Sequence, residues 1–409
     1  MYAQIINKID FTKYINYLLI GFAFSIPISK AGANFFEISM LLLWILEGNW
    51  KYKYQQYRSN HLTFTFILFL GYSAVSILWA SSMSEGLDYV LKYRHFLIIF
   101  VIFIYLDKKY ITHIFSAFLL GIFMSEIMSY GIFFELWTYK DISPKDPSPF
   151  MSHTDYSMYL AFASMLLLQK VIENHECIKV KLLYILFFLT VTSNLFINGG
   201  RTGQVTYVIL IFILIFSHIE HKFKAFVLSL LLISTTFLVA YNVSPNFHNR
   251  FYQAKTDISN MIYDDDFRGS FATRVSLWAI GLETFSDNFL IGTGIGNDMS
   301  QVQYYAEKIG YDSENLKRFK EHDSHNTFFT TAIQLGVFGL ILILRIYYSL
   351  LELKFKTKQY KTLSFIFIVL FFLWSFGHIA FHTMNPMIFF ALFAGLFNKL
   401  SQIEQQEEI

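Results

Sequence analysis

What most constrains this chain is a series of apolar runs, each close to the roughly 20 residues that an α-helix needs to cross the hydrocarbon of a bilayer. Scanning predicts helices over 14–30, 32–48, 61–80, 87–106, 111–132, 153–170, 181–198, 202–218, 222–241, 327–351, 361–381 and 384–399. A backbone surrounded by lipid must satisfy its own hydrogen bonds, so runs of this length and number imply an all-α integral membrane protein of about twelve transmembrane helices. Composition agrees: 55% of the 409 residues are hydrophobic and 15% are charged, against roughly 25% charged in a soluble domain. The 47 Phe and 26 Tyr suit aromatic belts at the two interfaces.

Orientation follows from the short connections, because cytoplasmic loops retain Lys and Arg. One alternating set carries Lys8 and Lys13, then Lys51, Lys53 and Arg58, Lys108 and Lys109, Lys170, Lys179 and Lys181, Lys222 and Lys224, and finally Lys354, Lys356, Lys358 and Lys361. The other carries only Lys30, Lys140, Lys145 and Arg201. Both termini are therefore expected in the cytoplasm. The N-terminal run ends in Ala31-Gly32-Ala33, which mimics a signal-peptidase site, but a second apolar run follows at once and the first is read as an uncleaved helix. The organisation expected is helices one to nine over 1–241, a periplasmic loop domain over 242–326, helices ten to twelve over 327–399, and a cytoplasmic tail over 400–409. The single cysteine, Cys177, excludes an intramolecular disulfide, so that loop has to hold its shape by packing.

Within the loop, Phe247, Phe251, Tyr252, Ile258, Met261 and Ile262 recur at helical spacing, as do Val275, Trp278, Ala279, Leu282 and Phe285, predicting at least two amphipathic helices. The turn-rich Gly292-Thr293-Gly294-Ile295-Gly296-Asn297 mimics a dinucleotide fingerprint but follows a helix, without the βαβ setting, so it is not read as one. The run Asp264-Asp265-Asp266 is read as a solvated loop or helix cap before a cation site.

With this topology Glu37, Lys92, Arg94, Glu126, His153, Asp155, Arg201, His378 and His382 all fall in or near the outer half of the membrane. Ionisable groups there cost several kcal/mol unless they face a cavity or a partner, so their sharing one leaflet points to a solvated pocket opening outward. Snorkelling anchors at helix ends are the plain alternative for any one of them. Three motifs sharpen the picture: Asn198-Gly199-Gly200-Arg201-Thr202-Gly203, Thr273-Arg274-Val275-Ser276-Leu277-Trp278 with Arg274 in the first turn of a loop helix, and His322-Asp323-Ser324-His325-Asn326-Thr327 before the tenth membrane helix. Arg201 can serve as a helix-end anchor, Arg274 as a partner for Asp266, and His325 with Asn326 as a cap. Two arginines and a histidine together favour chemistry, since a guanidinium fork suits pyrophosphate and an imidazole suits proton transfer near neutral pH.

The order Gly199-Gly200-Arg201-Thr202-Gly203, Arg274-x-x-x-Trp278, Asn288-Phe-Leu-Ile-Gly-Thr-Gly-Ile-Gly296, His325-Asn326-Thr327 and Gln334-Leu-Gly-Val-Phe-Gly339 resembles the O-antigen ligase and polymerase superfamily, with the specific signal confined to 194–345. The resemblance implies a glycosyltransferase that takes a glycan from undecaprenyl pyrophosphate at the periplasmic face of the bacterial inner membrane. It implies Arg201, Arg274 and His325 as the essential polar residues. Lys92, Arg94, His153, Asn326 and His378 are added as substrate-binding candidates, Lys92 and Arg94 from topology alone. A ligase passing the glycan to lipid A-core is favoured over a repeat-unit polymerase, by a metal-independent inverting mechanism. No cofactor, metal or nucleic acid is expected as a partner, and no carboxylate pair is spaced for a glycosidase. The competing class is a polysaccharide or lipid transporter, which would call for charges through the inner leaflet and matching broken helices in two halves.

Overall fold

The computed structural model describes residues 10–173, 177–263, 270–296, 302–309 and 325–407. Asp264, Asp265, Asp266, Asn297, His322, Asp323 and Ser324 lie outside them. The described residues form helices and connections, with no strand among them. In chain order these are α1 (Phe11–Ser25), α2 (Lys30–Glu47), α3 (Trp50–Ser59), α4 (His61–Val75), α5 (Met83–Lys92), α6 (Leu97–Tyr105), α7 (Ile111–Phe133), α8 (His153–Ile172), α9 (Ile178–Ile197), α10 (Arg201–His218), α11 (Lys222–Val243), α12 (Pro245–Tyr263), α13 (Ser270–Asp287), α14 (Val302–Ile309), α15 (Thr327–Leu351), α16 (Lys358–Gly377) and α17 (Met384–Gln406).

Among the described residues eight helices are long and apolar enough to cross a membrane, or nine if α2 and α3, bent by 114° at their junction, make one span. Each expected run has a helix, yet several differ from a plain span. The run over 87–106 is interrupted, because a 3-10 turn over Tyr93–Phe96 separates α5 from α6. The helix α8 carries Asp155, Ser157, Ser164 and Gln169 and is buried nearly all round, from Asp155 to Leu167. Protein, not lipid, is its solvent, so it tolerates polar residues that a lipid-facing helix would not. The helix α17 continues to Gln406, past the expected boundary at 399.

Local sequence accounts for the starts. The side chains of Ser29, Asn60, Ser82 and Ser152 each accept a hydrogen bond from an N–H in the first turn of α2, α4, α5 and α8, the usual role of Ser and Asn at an N-cap. The interior is aromatic: Phe389 and Phe393 of α17 meet Phe162 of α8 with ring centroids 5.3 and 4.7 Å apart, and Phe371 of α16 meets Phe390 at 4.5 Å. In lipid these rings gain little from leaving their solvent, so shape-fitted dispersion holds them.

The helix α15 is broken at Gly336, which has φ 64° and ψ −161°. The loop after α13 enters the break. Thr293 and Gly294 donate their backbone N–H groups to the carbonyls of Ile333 and Gln334 at 2.8 and 2.9 Å, Val337 donates to Phe289 at 2.8 Å, and the Tyr72 hydroxyl donates to the Leu335 carbonyl at 3.1 Å. A Cβ on Gly292 would collide with the Gln334 backbone, and one on Gly294 with Ala80. The glycine run is thus a backbone pin that satisfies carbonyls freed by the break.

Candidate functional site

Residues 378–383, between α16 and α17, are bordered by residues from several helices. Asp155 on α8 accepts from Asn385 Nδ2 at 3.1 Å, joining α8 to the start of α17. The Thr327 hydroxyl at the start of α15 donates to the His378 carbonyl at 2.9 Å. At the start of α10, Thr202 lies so close that a Cβ on Gly377 would stand 3.0 Å from its Cγ2. Among the described residues, four helices (α8, α10, α15 and α17) therefore begin around the end of α16. Each helix N-terminus carries roughly +0.5 of a charge and each C-terminus roughly −0.5, so four N-termini outweigh the C-terminal ends of α9 and α16 before any side chain is counted.

Arg201 is the first residue of α10. Its loop is held on every side: Gly199 N–H donates to Asp146 Oδ1 at 2.9 Å, Gly200 N–H to Asn198 Oδ1 at 2.9 Å, and Gln204 Nε2 to the carbonyls of Leu195 and Asn198 at 3.2 Å. Gly200 and Gly203 press against Ser157 of α8, where a Cβ would clash. Arg201 thus places a guanidinium at a helix N-terminus, an end whose dipole itself favours negative charge. Arg201 also lines an apolar cavity of about 310 Å³ with Phe196, Val205, Phe237 and Phe247. A larger cleft of about 790 Å³ between α7, α9 and α16 is lined by none of the candidate site residues except the earlier-noted Glu126.

Arg274 is the fifth described residue of α13 (Ser270–Asp287), past the first turn in which the sequence placed it. Trp278 stacks on Phe329 with centroids 5.6 Å apart and planes within 7°, and a Cβ on Gly281 would stand 3.1 Å from Ile333. Those two pairings run in the same direction, so α13 and α15 are parallel. Arg274, four residues before Trp278, and His325, four before Phe329, belong to the same end of the pair. His325 takes a left-handed backbone with φ 47°, a conformation that costs a non-glycine residue about 1 kcal/mol or more.

The remaining candidates divide. Asn326 caps α15 by accepting from the Phe328 and Phe329 N–H groups at 2.9 and 3.1 Å, and its Nδ2 donates to the Phe376 carbonyl at 3.3 Å. Its amide therefore serves the scaffold. His153 Nδ1 meets Asp146 Oδ2 at 2.9 Å. Burial pushes the Asp146 carboxyl up, but the bonds from His153, the Gly199 N–H and Ser148 outweigh it and hold that carboxyl below its ordinary range. His378 Nε2 faces Asp155 Oδ1 at 3.7 Å. Lys92 lies over the Tyr89 ring at 4.7 Å, and that ring packs on His382 at 5.4 Å. Arg94 is engaged by Glu37 at 3.6 Å and by Asn34 at 3.1 Å, and Asn34 reaches Met384. Lys92 and Arg94 thus border the α16–α17 connection through intermediaries. Sequence reasoning missed Asp146, whose Pro-flanked loop has no periodicity, and missed Ser157 and Asn385, which look like ordinary helix residues.

Among the described residues this architecture is that of a multi-pass, all-helical membrane protein. Residues 185–344 match the family model described as O-antigen ligase, and that match supports the O-antigen ligase and polymerase superfamily for this chain. The matched segment runs from α9 into α15 and includes Arg201, Arg274 and His325. No curated protein matches the chain.

Proposed function

We propose that the protein is an O-antigen ligase that transfers a glycan from undecaprenyl pyrophosphate to lipid A-core at the periplasmic face of the bacterial inner membrane. The carrying observation is the meeting of helix N-termini and Arg201 beside an apolar cavity, which fits an amphiphile with an anionic head and a hydrocarbon tail. In this reading all twelve apolar runs cross the membrane, both termini are cytoplasmic and 242–326 is periplasmic, supported by the Lys and Arg asymmetry of the short loops.

Arg201 and Arg274 hold the diphosphate and stabilise the charge that grows on it as the bond to the anomeric carbon breaks. The acceptor hydroxyl attacks that carbon from the opposite face, inverting it, while His325 orients or deprotonates the hydroxyl. The two guanidiniums supply the neutralisation that a metal would otherwise give. Lys92 and Arg94 border the same head-group region.

The test is incubation of the purified protein with undecaprenyl-pyrophosphate glycan and, separately, lipid A-core or more donor. Product on lipid A-core supports the ligase. Product on a second lipid-linked repeat would make it the polymerase instead. Loss of the gene separates the two in cells: a ligase mutant keeps long polymer on the carrier, and a polymerase mutant caps the core with one repeat.

A further inference from the structure

The transferase reading leaves open which group takes the acceptor's proton, and the α16–α17 connection contains a pair of residues suited to it. Asp155 is buried, its side chain 7% exposed. One carboxylate oxygen, Oδ2, accepts from Asn385, whereas Oδ1 has no hydrogen bond. A buried carboxylate oxygen without a donor is costly and calls for an explanation. The neighbour that answers it is His378 Nε2, 3.7 Å away. A proton gained by that ring would give Asp155 its counter-charge.

The geometry also selects the ring nitrogen. His378 Nε2 lies between the Asp155 carboxylate, an acceptor only, at 3.7 Å and the Thr383 hydroxyl oxygen at 3.3 Å. Nε2 therefore carries the proton in the neutral ring, and Nδ1 carries the lone pair. Among the described residues no hydrogen bond engages Nδ1. The His378 side chain is 17% exposed, neither sealed in the core nor freely solvated. Its backbone is fixed by Thr327, two residues from His325, and by Gly377 against Thr202, one residue from Arg201. His153, by comparison, has its Nδ1 committed to Asp146.

We propose that His378 is the proton acceptor of the transfer and that Asp155 is its positioning residue, holding the ring and stabilising the imidazolium. This rests on the transferase reading above and leaves His325 to orient the acceptor. The acceptor oxygen bonds to the anomeric carbon, the carbon–oxygen bond to the pyrophosphate breaks with its electron pair staying on the phosphate, and the hydroxyl proton passes to His378 Nδ1 and then to solvent.

The experiment uses full-length protein in lipid nanodiscs with undecaprenyl-pyrophosphate glycan and the acceptor on which the wild-type protein forms product. His378→Ala is expected to lower kcat by ~100-fold or more, the range for a lost general base, with donor KM changed less than ~3-fold. Added imidazole is expected to restore part of that kcat in His378→Ala and none in Arg201→Ala. Asp155→Asn is expected to lower kcat in the same direction with donor KM kept. If His378→Ala fails to yield a monodisperse protein, His378→Asn, which keeps the polar side chain at the helix junction, takes its place and the same kcat loss is expected. An active wild type with a fully active His378 variant, or imidazole rescue of His325→Ala in place of His378→Ala, overturns this assignment alone. Wild-type protein that transfers glycan to no acceptor overturns the transferase reading and this assignment with it.

Discussion

The hydroxyl of Thr327 donates to the carbonyl oxygen of His378 at 2.9 Å and accepts the N–H of Ala380 at 2.7 Å. One buried side chain thereby satisfies two backbone groups at the end of α16 and ties them to the residue after Asn326. Thr327→Val keeps the shape and removes both bonds, which should cost about 1–3 kcal/mol per stranded group. Thermal melting in detergent should fall by several degrees, with glycan transfer reduced. Thr327→Ser should restore both readings, and a serine variant as damaged as the valine would show that the methyl group and not the hydroxyl matters.

Replacement of Arg201 by Lys keeps the charge and loses the planar fork. For a group that holds a diphosphate in two-point contact, the expected loss in kcat/KM is ~100-fold, with melting unchanged. Wild-type turnover by Arg201→Lys would reduce Arg201 to a point charge at the helix end.

Asp146 makes a pH-dependent contribution. Its carboxyl titrates below the ordinary range in the folded protein, so the stability it confers is fully present above the unfolded-state value, near 3.9, and is lost as pH falls through the lower folded value. Melting temperature should therefore be insensitive to this group between pH 7 and 5 and decline at more acid pH. Asp146→Asn should melt lower at pH 7 and lack that component of the acid decline. The two curves should converge in acid, and parallel curves would count against Asp146 as the anchor of the Gly199 loop.

Cys177 is the sole cysteine and is exposed, so it reports orientation without engineering. With the connection after α8 in the cytoplasm, a membrane-impermeant maleimide should label inside-out vesicles and leave spheroplasts unlabelled. The reverse pattern would invert the proposed topology and place the 242–326 segment on the wrong side for a periplasmic transferase.

Much of this molecule is readable from sequence because lipid imposes a length on every helix that crosses it. The apolar run of 153–170 gives α8 directly, and helical spacing around Trp278 gives α13. What escapes is set by partners distant in the chain. Nothing near Gly336 discloses a break, since its carbonyls are met by Gly294 and Tyr72. Asp146 gains its role from Gly199, 53 positions away. The arginines and His325 stand out by residue type, whereas the pairing of Asp155 with His378 joins helices separated by more than half the chain and has no local signature.

The break at Gly336 has a further consequence for motion. Withdrawing residues 292–294 from it would strand the carbonyls of Ile333 and Gln334 where water is scarce, each costing several kcal/mol. That segment is consequently a fixed post, and any opening of the bundle has to pivot elsewhere. The stacked Trp278 and Phe329 rings add a second contact between α13 and α15, the two helices that this junction joins.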